Sequence, residues 1–247
     1  MKIEGNTILI TGGSSGIGFE MAKAFSQKNN TTIILGRDEM KLNIALSQLK
    51  NTSGIVCDVT NEREVNGLVE RAMKDFPALN MVINNAGRGF GYKLVEGANA
   101  MEKASEEMMT NYLSVIRLNE KMLPILKQQK EAAIVNVSSE VVFAPKIVAP
   151  TYAASKAALH AYTMVLRLTL KQMSFIKVFE IMPSLTNTEF SQDIGGSKGL
   201  APSFVAEALL NGMKNNEYEI HTGHTPVTYK LFLSSPSDAL NAINGIE

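Results

Sequence analysis

Tryptophan is absent from the 247-residue chain, and only one cysteine, Cys57, is present. A lone cysteine excludes an internal disulfide, and it reads as a small buried side chain in a reducing compartment. No histidine or basic cluster adjoins it to activate the thiol. Excess charge is also lacking, since 24 Lys and Arg face 24 Asp and Glu for a formal net charge of zero. A balanced chain has no general attraction for polyanions, which argues against nucleic acid as the main partner. No apolar run approaches ~20 residues, so no membrane span is expected. The opening Met-Lys-Ile-Glu-Gly-Asn lacks the apolar core of a signal peptide, and the expected location is the cytoplasm. Histidines number three. His221 and His224 lack the rest of a ligand set, so they read as a strand end and turn, and no metal is expected.

Hydrophobic residues make up 45% of the chain, enough for a sizeable core. They fall in short β-rich runs separated by helical patterns. The runs are Thr7–Ile10, Thr32–Leu35, Gly54–Cys57, Met81–Ile83, Ala133–Val137 and Ile176–Ile181, with Tyr218–Ile220 as a candidate seventh. Between them lie helical stretches from Ile17 to Gln27, through Leu49, from Glu62 to Phe76, and a long one broken near Asn111 and Pro124. Strands without in/out alternation, each followed by an amphipathic helix, indicate a parallel sheet covered on both faces. Right-handed crossovers then give a doubly wound, Rossmann-type α/β sheet of about seven strands with helices on both faces. With no repeat or linker-like shift in composition, the expectation is one dinucleotide-binding domain over 1–247. The glycine-rich stretch near 184–202 is expected to be a substrate loop.

Thr11-Gly12-Gly13-Ser14-Ser15-Gly16-Ile17-Gly18 lies between the first strand and the first helix. Glycine there lets the backbone turn tightly and approach a diphosphate, while the helix N-terminus offers N–H groups to the anion. The spacing is G-x-x-x-G-x-G, and such a turn alone is also compatible with a purely structural role. Tyr152 and Lys156 are four apart, which on a helix means about 40° around the axis and about 6 Å along it. An ammonium beside a phenol favours the phenolate and lowers its pKa from about 10, as an acid/base near neutrality requires.

The glycine turn, Asn84-Asn85-Ala86-Gly87 after the fourth strand, and Tyr152-Ala153-Ala154-Ser155-Lys156 together resemble the short-chain dehydrogenase/reductase family. The likeness runs from about Lys2 to the region of Gly223, and within the family the overall pattern looks like that of uncharacterised reductases of the DltE type. It implies NAD(P)-dependent hydride transfer between the cofactor and a carbonyl or alcohol carbon. Tyr152 is then the acid/base, and Lys156 tunes it and holds the nicotinamide ribose. Ser139 binds the substrate oxygen, with Ser138 the neighbouring candidate on the opposite strand face. Asn111 breaks a helix and positions a relay water. The implied cofactor residues are Gly12, Ser14, Ser15, Gly16, Ile17, Gly18, Arg37, Asp58, Val59, Asn84, Ala86, Gly87, Tyr152, Lys156, Pro183 and Thr188. Asn84 is also expected to brace the sheet. Ser184, Thr186 and Val142 depart from the family pattern, which usually has glycine, an aliphatic residue and glycine.

Cofactor choice turns on the end of the second strand, Leu35-Gly36-Arg37-Asp38. Gly36 offers no carboxylate to repel a 2′-phosphate, and Arg37 is a fork donor suited to one, so NADP is expected, with NAD still possible. Arg37 as a solvated surface charge is the competing reading, and Asp38 is free to pair with it or swing inward. Asp58 is expected against the adenine amino group, or as a turn or cap residue. Phe143, Pro145, Ile147, Val148 and Pro150 lead into Tyr152 and hint at an apolar substrate side. Small residues on the Tyr152 helix (Ala153, Ala154, Ala157, Ala158, Ala161) suggest, with the family resemblance, a homodimer or homotetramer, burial within the monomer being the alternative. From a different class, a catalytically silent dinucleotide-binding sensor or scaffold of the same fold competes with the enzyme, as does lyase or epimerase chemistry.

Overall fold

Seven strands lie side by side in the order β3-β2-β1-β4-β5-β6-β7. They are β1 (Thr7–Ile10), β2 (Thr31–Gly36), β3 (Thr52–Val56), β4 (Leu79–Asn84), β5 (Ala132–Val137), β6 (Ile176–Pro183) and β7 (Glu219–Thr222). Every pairing is parallel. The computed structural model describes residues 1–173 and 175–246. Ser174 and Glu247, which the expected 1–247 domain includes, lie outside the described residues.

β1 shows why in/out alternation is missing. Ile8 and Ile10 face one core, with Met21, Phe25 and Leu209, while Leu9 faces a second, with Val65, Leu118 and Met122. The first core is covered by α1 (Gly16–Ser26) and α7 (Pro202–Asn215), and the second by α3 (Glu62–Asp75), α5 (Ser114–Leu126) and α6 (Pro150–Met173). α2 (Glu39–Leu46) adds Leu42 and Ala45 to the first core, α4 (Ala100–Met108) packs against α6, and α8 (Thr225–Ser234) and α9 (Pro236–Asn244) follow β7. This is a Rossmann-type α/β fold. β1 pairs with β2 on one side and β4 on the other, so the crossovers diverge there and a crevice opens at the strands' carboxyl ends.

Local differences from the expected elements have physical causes. α2 stops at Leu46, and Ser47 to Leu49 turn to deliver the chain to β3. α5 runs through Pro124, which sits in its last turns; the acceptor its ring leaves unmatched is the carbonyl of exposed Glu120, open to water. At Asn111 the break is a π-turn, Met109–Leu113, that joins α4 to α5 without ending the helical path. The 184–202 stretch holds two short 3₁₀ turns, Glu189–Ile194 and Gly196–Lys198. Among the described residues no helix is long and apolar enough to cross a membrane, and no His/Cys/Asp/Glu group is arranged for a metal.

Candidate active site

The crevice is a cleft of about 860 Å³. Its first wall is the turn after β1. Gly12 has φ +64°, and a Cβ there would stand 3.0 Å from Ala86 Cα, so only glycine lets the β1 and β4 ends approach. Gly12, Ser14, Ser15, Gly16 and Ile17 line the cleft, whereas Gly18 does not. Gly18 packs against the turn from behind, where a Cβ would fall 2.3 Å from the Gly12 carbonyl oxygen. The N-cap of α1, Ser15, makes no side-chain capping bond, and the first turn carries no acidic residue, leaving its N–H groups for an anion.

At the β2 end, Gly36 lies beside Ser14: a Cβ at Gly36 would be 3.0 Å from the Ser14 Oγ. Asp38 lines the cleft too but does not pair with Arg37: its carboxylate caps α2 by accepting from the Lys41 N–H at 3.0 Å. Arg37 is two-thirds exposed and lies 3.9 Å from Asp58. Asp58 accepts from the Thr60 backbone N–H (2.9 Å) and hydroxyl (2.7 Å), shaping the turn before α3, while Asn61 is that helix's cap. Arg37, Asp58 and Val59 all reach the cleft wall, as does Cys57, whose thiol is pushed up to about 11 by burial and then by Glu64 and Asp58.

Ala86 and Gly87 line the cleft, but Asn84 does not. Its amide donates to Asn119 (2.9 Å) and Asn136 (2.8 Å), and Asn136 donates to Thr163 (2.8 Å). That buried chain ties β4 and β5 to α5 and α6. Asn111 is also inside the wall, fully buried in the π-turn. Its amide donates to the Arg88 carbonyl (2.7 Å) and the Ser155 hydroxyl (2.8 Å), and its oxygen accepts from the Arg88 N–H (2.7 Å). Asn111 therefore pins the loop after β4 to α6, leaving its side chain no free polar atom.

Tyr152, Lys156 and Ser139 meet at the far end of the cleft. Burial pushes the Tyr152 phenol up to about 12; a hydrogen bond with Ser139 opposes this, and Glu107 adds to it. The expected downward shift is therefore not the direction found. Lys156 lies with Nζ 5.7 Å from the Tyr152 ring centroid and donates to the Val137 carbonyl at 2.8 Å. It is itself desolvated, its amine drawn down to about 8 while Glu180 works the other way. Ser138 is buried with its hydroxyl unpartnered, whereas Ser139 lines the cleft, its hydroxyl 3.4 Å from the Pro183 carbonyl oxygen and acting on the Tyr152 phenol.

The 184–202 segment forms the opposite wall. Pro183 and Thr188 line it, and Phe190 lies over Tyr152 with ring centroids 5.7 Å apart. Lys41 of α2 reaches across to Glu189, with both oxygens at 2.9 Å. Ser184, where the family has glycine, accepts the His224 N–H at 3.3 Å ahead of α8. Phe143 is not on the substrate side: it is buried among His160, His221, Tyr229 and Phe232. Pro145, Ile147, Val148 and Pro150 do not line the cleft either, whereas Lys146 and Ala149 do. Sequence reasoning missed Phe190, Lys41 and Glu107. Glu107 is fully buried, accepts the Phe90 N–H at 2.9 Å, and is raised by burial. No local pattern marks these residues, since each acts across a long sequence gap.

A parallel sheet with this strand order and a tyrosine and lysine one helical turn apart at its cleft define a class. The chain belongs to the short-chain dehydrogenase/reductase family, whose description as short chain dehydrogenase matches residues 6–199, and it is an oxidoreductase of that type. The uncharacterized oxidoreductase DltE of Bacillus subtilis (strain 168) is 36% identical over 225 residues, 89% of either chain. A NADP-dependent 3-hydroxy acid dehydrogenase of Schizosaccharomyces pombe is 29% identical over 240 residues, 87% of this chain and 90% of the relative. Among solved structures, a Burkholderia phymatum short chain dehydrogenase/reductase in complex with NAD aligns with TM-score 0.87 at 20% identity, covering 95% of this chain and 96% of that one. A Burkholderia cenocepacia short chain dehydrogenase in complex with NADP aligns at 0.86 and 24%, covering 98% of both.

Proposed function

We propose that this enzyme reduces a small ketone or aldehyde, or oxidises the matching alcohol, with NADP as its cofactor and Tyr152 as its proton-transfer group. The observation that carries the reading is the half-buried Tyr152 phenol, one turn from Lys156 and sharing the cleft wall with Ser139, at the end of a cleft that starts at an uncapped helix N-terminus. A dinucleotide suits the rest of that cleft. The glycine turn lets its backbone come close, α1 offers free N–H groups to a diphosphate, and Ala86 and Gly87 flank the middle. When bound, the nicotinamide supplies or takes the hydride.

The chain's own residues handle the proton. A phenol held protonated at neutral pH is the donor form, so the raised Tyr152 suits carbonyl reduction. Ser139, on the same cleft wall as that phenol, orients the substrate oxygen and stabilises its growing charge. The charged form of Lys156 favours proton release from Tyr152. Asn111 holds the loop that frames them. For the cofactor, the absence of an acid at Gly36, the capture of Asp38 in the α2 cap, and the nearby Arg37 and Lys41 favour a 2′-phosphate.

We read residues 1–247 as one domain in which 184–202 is the substrate loop, Phe190 being its contact with Tyr152. The exposed Val165 and Leu168 on α6, beside its small residues, fit the face of a homodimer or homotetramer. The test is a fluorescence titration with NADPH and NADH, followed by a carbonyl panel that includes 3-oxo acids. Tighter NADPH binding with NADPH-dependent turnover is the expected result. Binding without turnover on any carbonyl, or firm preference for NADH, overturns the corresponding half.

A further inference from the structure

Along α6, Tyr152, Lys156, His160 and Arg167 recur at helical spacing, and facing them from β6 is Glu180, which is fully buried. The proposed chemistry does not use Glu180 or His160. His160 Nδ1 lies 2.9 Å and 3.0 Å from the two Glu180 oxygens, so the pair is closed. Arg167 is only 3.9 Å from Glu180 and is committed elsewhere: to Glu219 at 2.6 Å, the Val178 carbonyl at 2.9 Å and the Tyr218 carbonyl at 3.1 Å. The strand register brings the pair to the active site. Glu180 stands opposite Asn136 on β5, and the next residue, Val137, provides the carbonyl that holds Lys156 Nζ at 2.8 Å. Neighbouring strands are only about 4.8 Å apart, so Glu180 sits one strand over and one residue back from the carbonyl that anchors Lys156, and its carboxylate is held by His160, one turn along α6 from Lys156.

We propose that Glu180 and His160 are positioning residues that hold the Lys156 amine in its charged form, an inference that rests on the Tyr152–Lys156 reading above. Burial drives that amine toward neutrality, and Glu180 is the group that opposes it. His160 in turn keeps Glu180 from lying alone in an apolar interior, and Glu180 raises the imidazole above its usual range. The charged and titratable groups that face Glu180 are Lys156, His160 and Arg167 from α6 and Glu219 and His221 from β7. Of these, His221 is lowered by burial and Glu219 is matched to Arg167. His160 lies within hydrogen-bonding distance of both oxygens of Glu180, so it fixes where that carboxylate is held.

The test needs neither substrate nor cofactor. Cyanate carbamylates only neutral amines, so the pH dependence of Lys156 labelling, read by peptide mass spectrometry, reports its titration. Glu180→Gln is expected to move the labelling midpoint down by about one pH unit, the low end for losing a nearby opposite charge. A merely structural role lowers thermal stability and leaves that midpoint in place, which overturns the proposal. Should the variant not fold, ¹³C NMR of the wild-type glutamate carboxyl groups decides, with Glu180→Asp for assignment. An ionised Glu180 carboxylate at pH 7 supports the proposal and a protonated one refutes it. Tyr152→Phe separates the two layers: turnover without the phenol defeats the catalytic reading, whereas an unmoved Lys156 midpoint defeats only this one.

Discussion

Gly18 and Gly67 both sit in helices, yet replacing each with alanine is expected to have opposite effects. A Cβ at Gly18 falls 2.3 Å from the Gly12 carbonyl oxygen and 2.4 Å from Asn85 Nδ2, while nothing lies within 4 Å of one at Gly67. Asn85 Nδ2 itself donates to the Gly12 carbonyl at 3.1 Å, so the new methyl wedges into a hydrogen bond between the two chain segments that form the cleft. Overpacking costs about 1–3 kcal/mol and a lost hydrogen bond about 1 kcal/mol, against about 0.5–1 kcal/mol gained by removing a helical glycine. The net for Gly18→Ala is about 1–3.5 kcal/mol destabilising, or about 2–14 °C in melting temperature for a chain of this size. Gly67, exposed in α3, gains about 0.5–1 kcal/mol and about 1–4 °C. Circular-dichroism melts measure both, and NADPH titration should show weaker binding only for Gly18→Ala. Equal melting shifts, or a stabilised Gly18→Ala, would refute the packing argument.

Arg37→Ser should weaken NADPH binding about fivefold and leave NADH nearly unchanged, a charged hydrogen bond discounted for exposure to about 1 kcal/mol; comparative titration checks this. Cys57, with its thiol at about 11, should react with a disulfide reagent at pH 8 about a hundredfold more slowly in the folded protein than in denaturant. His160 is raised in the fold mainly by its bond to Glu180, so its contribution to stability is complete below the unfolded value of about 6.5 and is lost as pH rises through the folded one. The melting temperature of the wild type relative to His160→Gln should therefore fall from pH 6 upward. A flat difference would contradict it.

The strands were readable because both faces of each are buried, which leaves uninterrupted apolar runs such as Ile8-Leu9-Ile10. Residues whose role is set by sequence neighbours were readable too: the glycine turn, and the Tyr152–Lys156 spacing on α6. What escaped was set by distant partners. Asn111 stood out as a helix break, but the π-turn depends on Arg88 and Ser155, far away in sequence. Phe143 was placed on the substrate side because it precedes Tyr152, yet the 3₁₀ turn after Ser139 sends it inward to α8 and β7. The sign of the Tyr152 shift was also missed, because adjacency to an ammonium is legible from spacing and the depth of burial is not.

The account rests on the Tyr152 phenol as the group that exchanges a proton with the substrate oxygen. Single-turnover oxidation of NADPH by a carbonyl found in the panel, in wild type and Tyr152→Phe, tests it most directly. Loss of a positioned general acid should slow the step about 10²–10⁴-fold while NADPH affinity stays within about twofold. Turnover by Tyr152→Phe within about threefold of wild type would contradict the account.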